Sequence, residues 1–204
     1  MGFYSRVIVP YMCDFGLDRP FVARCRRELL ATATGNILEV GFGTGLNLAC
    51  YPPNVRRITT VDPSIGMHRR ARRRVEQTSI EVDQRLAGGE RLPFEDRIFD
   101  SVVSTFTLCS IRDAPQALRE VYRVMKVGGK LLFLEHGISP EPNIQKWQHR
   151  LNWLQTRLAD GCHLDRDIRT LIAAQPFSSV AIEEFYLEKT LKTHGYMYRG
   201  TATK

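Results

Sequence analysis

The chain has 204 residues, 43% hydrophobic and 25% charged, with 29 Lys and Arg against 22 Asp and Glu for a formal net charge of +7. That length and apolar fraction suit one globular domain with a real core, and they exclude disordered, collagenous and mini-scaffold classes. Every apolar run breaks well short of the roughly 18 residues a membrane span needs, and residues 1–11 lack the apolar stretch and cleavage site of a secretory signal.

The five cysteines, Cys13, Cys25, Cys50, Cys109 and Cys162, are odd in number and contain no C-x-x-C pair. Their spacing therefore suggests neither a disulfide framework nor a metal site, and a reducing, cytoplasmic compartment is expected. The positive balance leaves four readings open: nucleic acid, an anionic membrane surface, an acidic substrate, or solubility alone.

In chain order, Tyr4, Tyr11 and Phe15 precede a helix predicted over about 18–33. Such a segment either lids an active-site mouth or packs on a sheet edge. β-Branched apolar runs at 36–40, 57–62, 99–105 and 130–135 read as buried strands, alternating with helices over 64–77 and 115–126. Asp113 is placed to cap the second helix, Pro115 falls in its first turn, and Gly128-Gly129 is expected to end it. This alternation implies right-handed crossovers and a doubly wound α/β fold with a mostly parallel sheet. An amphipathic helix over 143–159, a second over 165–174 and strands over 179–187 and 196–202 follow. Two strands so close in sequence predict an antiparallel edge. The expected organisation is a domain over 36–204 preceded by a helical extension over 1–35.

The strongest chemical signal is Leu38-Glu-Val-Gly41-Phe-Gly43-Thr-Gly45-Leu-Asn47, after a predicted strand and before a predicted helix. Glycines there let backbone approach a ligand closely and leave N–H groups free, as a nucleotide-like ligand requires. The spacing is G-x-G-x-G, with Leu46 where a dinucleotide site wants its third small residue, and no P-loop pattern is present. Asp62 ends the next strand, where a carboxylate can accept bonds from an unphosphorylated ribose.

With Gly88-Gly-Glu-Arg-Leu-Pro-Phe94, Phe99-Asp-Ser-Val-Val-Ser104 and Leu118-Arg-Glu-Val-Tyr-Arg-Val-Met-Lys-Val-Gly-Gly129, these features resemble the class I S-adenosylmethionine-dependent methyltransferases over residues 36–136. The resemblance implies a seven-stranded Rossmann-like sheet with an antiparallel C-terminal edge strand, S-adenosylmethionine as cofactor and S-adenosylhomocysteine as product. It places Gly41, Phe42, Gly43, Gly45 and Asn47 around the cofactor's amino-acid part, steadied by Glu39. Asp62 would hold the ribose, with Pro63, Ser64 and Met67 beside the adenine. Relatives often carry Asp where this chain has Gly88, so Gly89 and Glu90 are expected to meet the adenine edge. Ser104, Thr105 and Phe106 are expected on the floor between cofactor and acceptor.

Leu132-Phe-Leu-Glu-His136, Trp147-Gln-His-Arg-Leu151, Asp160-Gly-Cys-His-Leu164 with Arg166, and Gly195-Tyr-Met-Tyr-Arg-Gly200 extend the resemblance along nearly the whole chain. They are similar to the subfamily of thiol S-methyltransferases and bacterial phospholipid or quinone methyltransferases, whose membrane-bound members carry an N-terminal apolar anchor. The implied acceptor is small or lipophilic: a thiol, a lipid amine or a quinol-like ring. His136, just past a strand's carboxyl end, is the candidate catalytic base, with a backbone-bonded structural histidine as the equal alternative. Tyr4, Tyr11, Cys109, His136, Cys162 and His163 are expected to line the acceptor side, with no metal.

Two other classes compete. A nicotinamide-dependent oxidoreductase shares the glycine loop and Asp62, against Leu46. A non-catalytic module would use His68-Arg-Arg-Ala-Arg-Arg-Arg74 on RNA or anionic lipid, although helical geometry spreads those charges and a solvated helix is the plainer account. No nucleic-acid partner is expected, and peripheral contact with an anionic membrane stays open.

Overall fold

Strand β1 (Ile37–Val40) is buried at every position, which is possible only in the middle of a sheet covered on both faces. The computed structural model describes residues 3–204. Among these, β1, β2 (Arg57–Val61), β3 (Glu81–Arg85), β4 (Phe99–Thr105), β5 (Met125–His136), β6 (Ser179–Tyr186) and β7 (Tyr196–Thr203) form one sheet. Their order is β3-β2-β1-β4-β5-β7-β6. The first five run parallel, and β7 lies antiparallel to both β5 and β6, as the short β6–β7 connection predicts.

Helices α1 (Val9–Leu17), α2 (Pro20–Leu30), α3 (Ile65–Gln77), α4 (Ala114–Val124), α5 (Pro142–Leu158), α6 (Ile168–Ala173) and α7 (Lys192–Gly195) complete the described fold, with a π-helical turn at Tyr4–Ile8. One core cluster gathers Leu118, Val121, Ile168 and Ile172 of α4 and α6 with Leu38, Val102 and Leu131 of the sheet. The other packs Cys25, Leu29 and Leu30 of α2 with Ala71 of α3 against Ile37, Val103 and Leu132. Alternating strand residues feed the two faces. Asp113 and Ser64 cap α4 and α3 as their chemistry predicts, accepting from the backbone N–H of Gln116 at 2.9 Å and Met67 at 3.4 Å.

Three local expectations are corrected and one strand is added. The Gly41–Gly45 loop opens onto successive tight turns rather than a helix, with Leu48 N–H donating to Gly45 at 3.2 Å and Cys50 N–H to Asn47 at 2.8 Å. Helix α4 stops at Val124, before the Gly pair, because Met125 is already extended and paired with Phe99, and a register shift follows before Ser101 meets Lys130. Strand β3 carries no apolar run and escapes periodicity, since this edge strand is only half-buried. The arginine-rich α3 is not merely solvated: Arg70 and Arg74 hold the buried Asp14 of α1 at 2.7 and 3.1 Å.

Helix α5 leaves much of its apolar face outside, with Trp147, Trp153, Leu154 and Leu158 exposed. No helix among the described residues is long and apolar enough to cross a membrane.

Candidate functional site

Strand order reverses between β2-β1 and β4-β5, and ligands in open α/β sheets sit outside the carboxyl ends of the strands at such a point. A cavity of 350 Å³ opens there, within the roughly 300–1,000 Å³ of small-molecule sites. Gly41, Phe42 and Gly43 after β1, Asp62 to Ser64 after β2, and Thr105 and Phe106 at the end of β4 form its walls.

The loop is held to β2 by three backbone donors. Gly41 and Phe42 N–H donate to the Val61 carbonyl at 2.9 and 3.2 Å, and Gly43 N–H donates to the Asp62 carboxylate at 2.8 Å. The other Asp62 oxygen accepts from Ser64 N–H at 2.8 Å. Burial pushes the Asp62 carboxyl above its usual range, against those two bonds. Asp62 therefore organises the loop, and each oxygen keeps a lone pair for a ligand hydroxyl.

Beneath the loop lies a buried network. Glu39 accepts from Asn47 Nδ2 at 2.9 Å and from the Tyr51 hydroxyl at 2.7 Å, while Asn47 Oδ1 accepts from Arg26 at 2.6 Å. Arg26 also donates to Thr105 Oγ1 at 2.8 Å and stacks over Phe106 at 5.1 Å. Phe106 itself adopts φ of +53°, a conformation uncommon outside glycine and concentrated at functional sites. The Arg26 Nε has no partner, so a buried guanidinium on the cavity wall keeps one donor free.

Burial pushes the Glu39 carboxyl up to about 7, against its bonds from Tyr51 and Asn47 and the nearby Arg26 charge. The unfolded chain releases that proton near 4.5. Stability from the protonated carboxyl is thus complete below 4.5 and lost as the pH rises through about 7. Relative to Glu39→Gln, the wild type is expected to lose roughly 3 kcal/mol between pH 4.5 and 8, read by urea unfolding at both pH values. A difference that does not change with pH contradicts an ionisable, desolvated Glu39.

The structure brings Gly41, Phe42, Gly43, Asp62, Pro63, Ser64, Met67, Gly89, Glu90, Thr105 and Phe106 to the cavity. Glu39 and Asn47 lie under it, and Gly45 packs toward Phe42, Leu48 and Ala71. Ser104 does not line the floor. Strand alternation turns it toward β5, where its hydroxyl donates to Glu135 at 2.8 Å.

On the acceptor side, Tyr4 instead donates to the Leu158 carbonyl at 2.7 Å, and Tyr11 is exposed beneath Arg70. His163 lies beside Asn152 and Asp165, away from the cavity. Sequence reasoning missed Arg26 and the Val9, Cys13 and Leu17 side of α1, which also line the cavity. A signal for Arg26 existed: it sits at helical spacing among Val22, Cys25, Leu29 and Leu30, a charge inside an apolar stripe.

His136 is also displaced from its expected place. It is 8% exposed and off the cavity wall, with Nε2 taken up by Cys162 Sγ at 3.0 Å, and Cys162 Sγ lies 3.7 Å from Cys109 Sγ. Burial alone would lower the imidazole pKa, but the Cys162 charge holds it up at about 9. Cys162 is held well below the thiol range by the Cys109 S–H, against burial, and by His136. His136 is therefore not one of the residues that line the cavity.

The methyltransferase-domain family matches residues 38–133. A thiol S-methyltransferase of Rattus norvegicus is 35% identical over 72% of this chain and 62% of its own length. A ubiquinone/menaquinone biosynthesis C-methyltransferase of Geotalea daltonii is 33% identical over 65% of this chain and 57% of its own. The chain thus spans under two thirds of the length of these relatives. In fold, an S-adenosylmethionine-dependent methyltransferase of Thermotoga maritima superposes with a TM-score of 0.68 at 20% identity, covering 98% of this chain and 97% of that one. These matches set aside the nicotinamide oxidoreductase reading, as Leu46 in the loop already argued. The sheet order, the glycine turn clasped by Asp62 and the matched domain agree that this chain belongs to the class I S-adenosylmethionine-dependent methyltransferase family.

Proposed function

We propose that this chain binds S-adenosylmethionine in the cavity above β1, β2 and β4 and transfers its methyl group to a small or lipophilic thiol. The observation that carries the binding half is a built complement to such a ligand. Gly43 leaves open space on the loop, Asp62 keeps acceptor capacity, and Arg26 brings a guanidinium to the cavity wall. These fit a ribose and an amino-acid carboxylate, with Met67 and Gly89 beside a flat apolar ring.

The bound group would supply an activated methyl on a sulfonium. The chain's part is to hold donor and acceptor in a near-attack arrangement and keep water out, which the walls of α1 and the Thr105–Phe106 floor favour. No enzyme nucleophile is needed.

A thiol is favoured as acceptor by the similarity to thiol S-methyltransferases, with a lipid amine and a quinol-like ring as the competitors. A methyl-transfer screen with radiolabelled cofactor across small thiols, phosphatidylethanolamine vesicles and quinol precursors tests this. Label is expected in the thiol product. Transfer only to the lipid amine or the quinol replaces the acceptor, and no S-adenosylhomocysteine binding by calorimetry removes the reading altogether.

A further inference from the structure

We propose that Cys109, Cys162 and His136 form a mononuclear zinc site with three protein ligands and a fourth position open to a thiol. The three come from separate segments: the loop after β4, the loop after α5 and the end of β5. Their ligand atoms all lie within 4.8 Å of one another.

The distances suit the metal. Tetrahedral zinc, with Zn–S of about 2.3 Å and Zn–N of about 2.0–2.1 Å, puts sulfurs about 3.8 Å apart and sulfur about 3.6 Å from nitrogen. Here the Cys109 and Cys162 sulfurs are 3.7 Å apart and Cys162 Sγ is 3.0 Å from His136 Nε2. The Cys162–His136 spacing must widen by about half an ångström, and Cys109 Sγ and His136 Nε2, which lie within 4.8 Å, must settle at about 3.6 Å. Two sulfurs and an imidazole without a carboxylate select zinc over magnesium or calcium.

The backbone positions these side chains without help from the sulfurs. His163 N–H donates to the Cys109 carbonyl at 2.9 Å, locking the two loops together. The Glu135 carboxylate accepts from Thr107 N–H at 2.8 Å and Cys109 N–H at 3.3 Å, fixing the first loop against the strand that carries His136.

Among the described residues, no fourth Cys, His, Asp or Glu joins the group. Structural zinc sites fill all four positions with protein ligands, whereas sites that act on a ligand keep one open. Thr107 and Ser110 flank Cys109 and Asp160 precedes Cys162, all on the cavity wall, so the cluster lies immediately behind it. In this role, which rests on the thiol reading above, an acceptor thiol gives its proton to water. Its thiolate sulfur takes the fourth position and retains a lone pair for bond formation.

The test uses the tag-free 204-residue chain, reduced, stripped with chelator and titrated with zinc, and in parallel with cobalt(II) as a spectroscopic stand-in. One equivalent of zinc by elemental analysis and a thiolate-to-cobalt charge-transfer band are expected. Cys109→Ser, Cys162→Ser and His136→Gln should each weaken metal binding by at least about tenfold, while Cys25→Ala leaves it unchanged. Adding benzenethiol should shift the cobalt band. Less than half an equivalent of zinc in the wild type, a cobalt spectrum without the thiolate band, or a Cys109–Cys162 disulfide in the unreduced digest overturns the site. A band unmoved by benzenethiol overturns the open position. Circular dichroism on the same samples checks folding, and calorimetry with S-adenosylhomocysteine separates this test from the methyl-transfer one, since metal binding with no nucleoside binding sinks only the latter.

Discussion

Replacing Gly43 by Val is expected to weaken S-adenosylhomocysteine binding by at least about 100-fold while the far-ultraviolet circular dichroism stays that of the wild type. The reason lies in where the new side chain would go. A Cβ on Gly43 meets nothing closer than the Gly41 carbonyl at 4.0 Å, so the isopropyl group projects into the open cavity. At φ of +57° an L-residue is strained by roughly 1–2 kcal/mol, a loss of roughly 2–8 °C in Tm for a domain of this size. The fold should tolerate that.

Gly41 supplies the contrast. Its Cβ would sit 2.0 Å from Thr107 Oγ1 and 2.3 Å from Thr107 Cγ2, so Gly41→Val damages the structure itself. Wild-type affinity in a folded Gly43→Val protein would mean that the cavity is not the nucleoside site.

The second large effect concerns Arg26. Arg26→Met preserves length and apolar bulk but removes the guanidinium buried beneath the loop. Truncating one partner of a buried charged pair costs about 2–5 kcal/mol, so S-adenosylhomocysteine affinity should fall by roughly 30- to 4,000-fold. Methylthioadenosine lacks the amino-acid carboxylate, and its affinity should change by less than about threefold. Equal losses for the two ligands would assign Arg26 to the Asn47–Thr105 network alone and refute a carboxylate contact.

Much of the cavity's glycine-loop side was legible because its chemistry is local. A glycine turn between a buried strand and the next crossover, and a carboxylate closing the following strand, are separated by one βαβ unit whose handedness leaves a single arrangement. Gly41, Gly43 and Asp62 were thereby placed together before any coordinates. The same locality explains Thr105 and Phe106, which end the strand beside β1.

The acceptor side was not legible in the same way. His136 and Cys162 belong to segments whose relative placement depends on how α5 and the loops at both its ends pack. Cys162 and His163 were both expected to line the acceptor side, yet His163 turns to Asn152 and Asp165, and Cys162 finds its partners 26 and 53 positions away. Spacing along the chain carries no information about such contacts.

The net charge of +7 shows the same division. As composition it left nucleic acid, an anionic membrane surface, an acidic substrate and solubility alone equally open. In the fold, Arg70 and Arg74 are engaged by Asp14, which also accepts from Thr44 on the glycine loop at 2.6 Å, while Arg26 lies beneath that loop.

The amino-acid sequence by itself determined the α/β class, the mostly parallel sheet with its antiparallel edge, and the turn chemistry of the donor site, because each follows from periodicity and short-range sterics. Only the tertiary structure decided that Arg26 faces the cavity, that Ser104 turns away from it, and that two thiols and an imidazole meet behind it. Those outcomes depend on which faces of distant elements pack together, and burial of the whole chain, not any local preference, selects them.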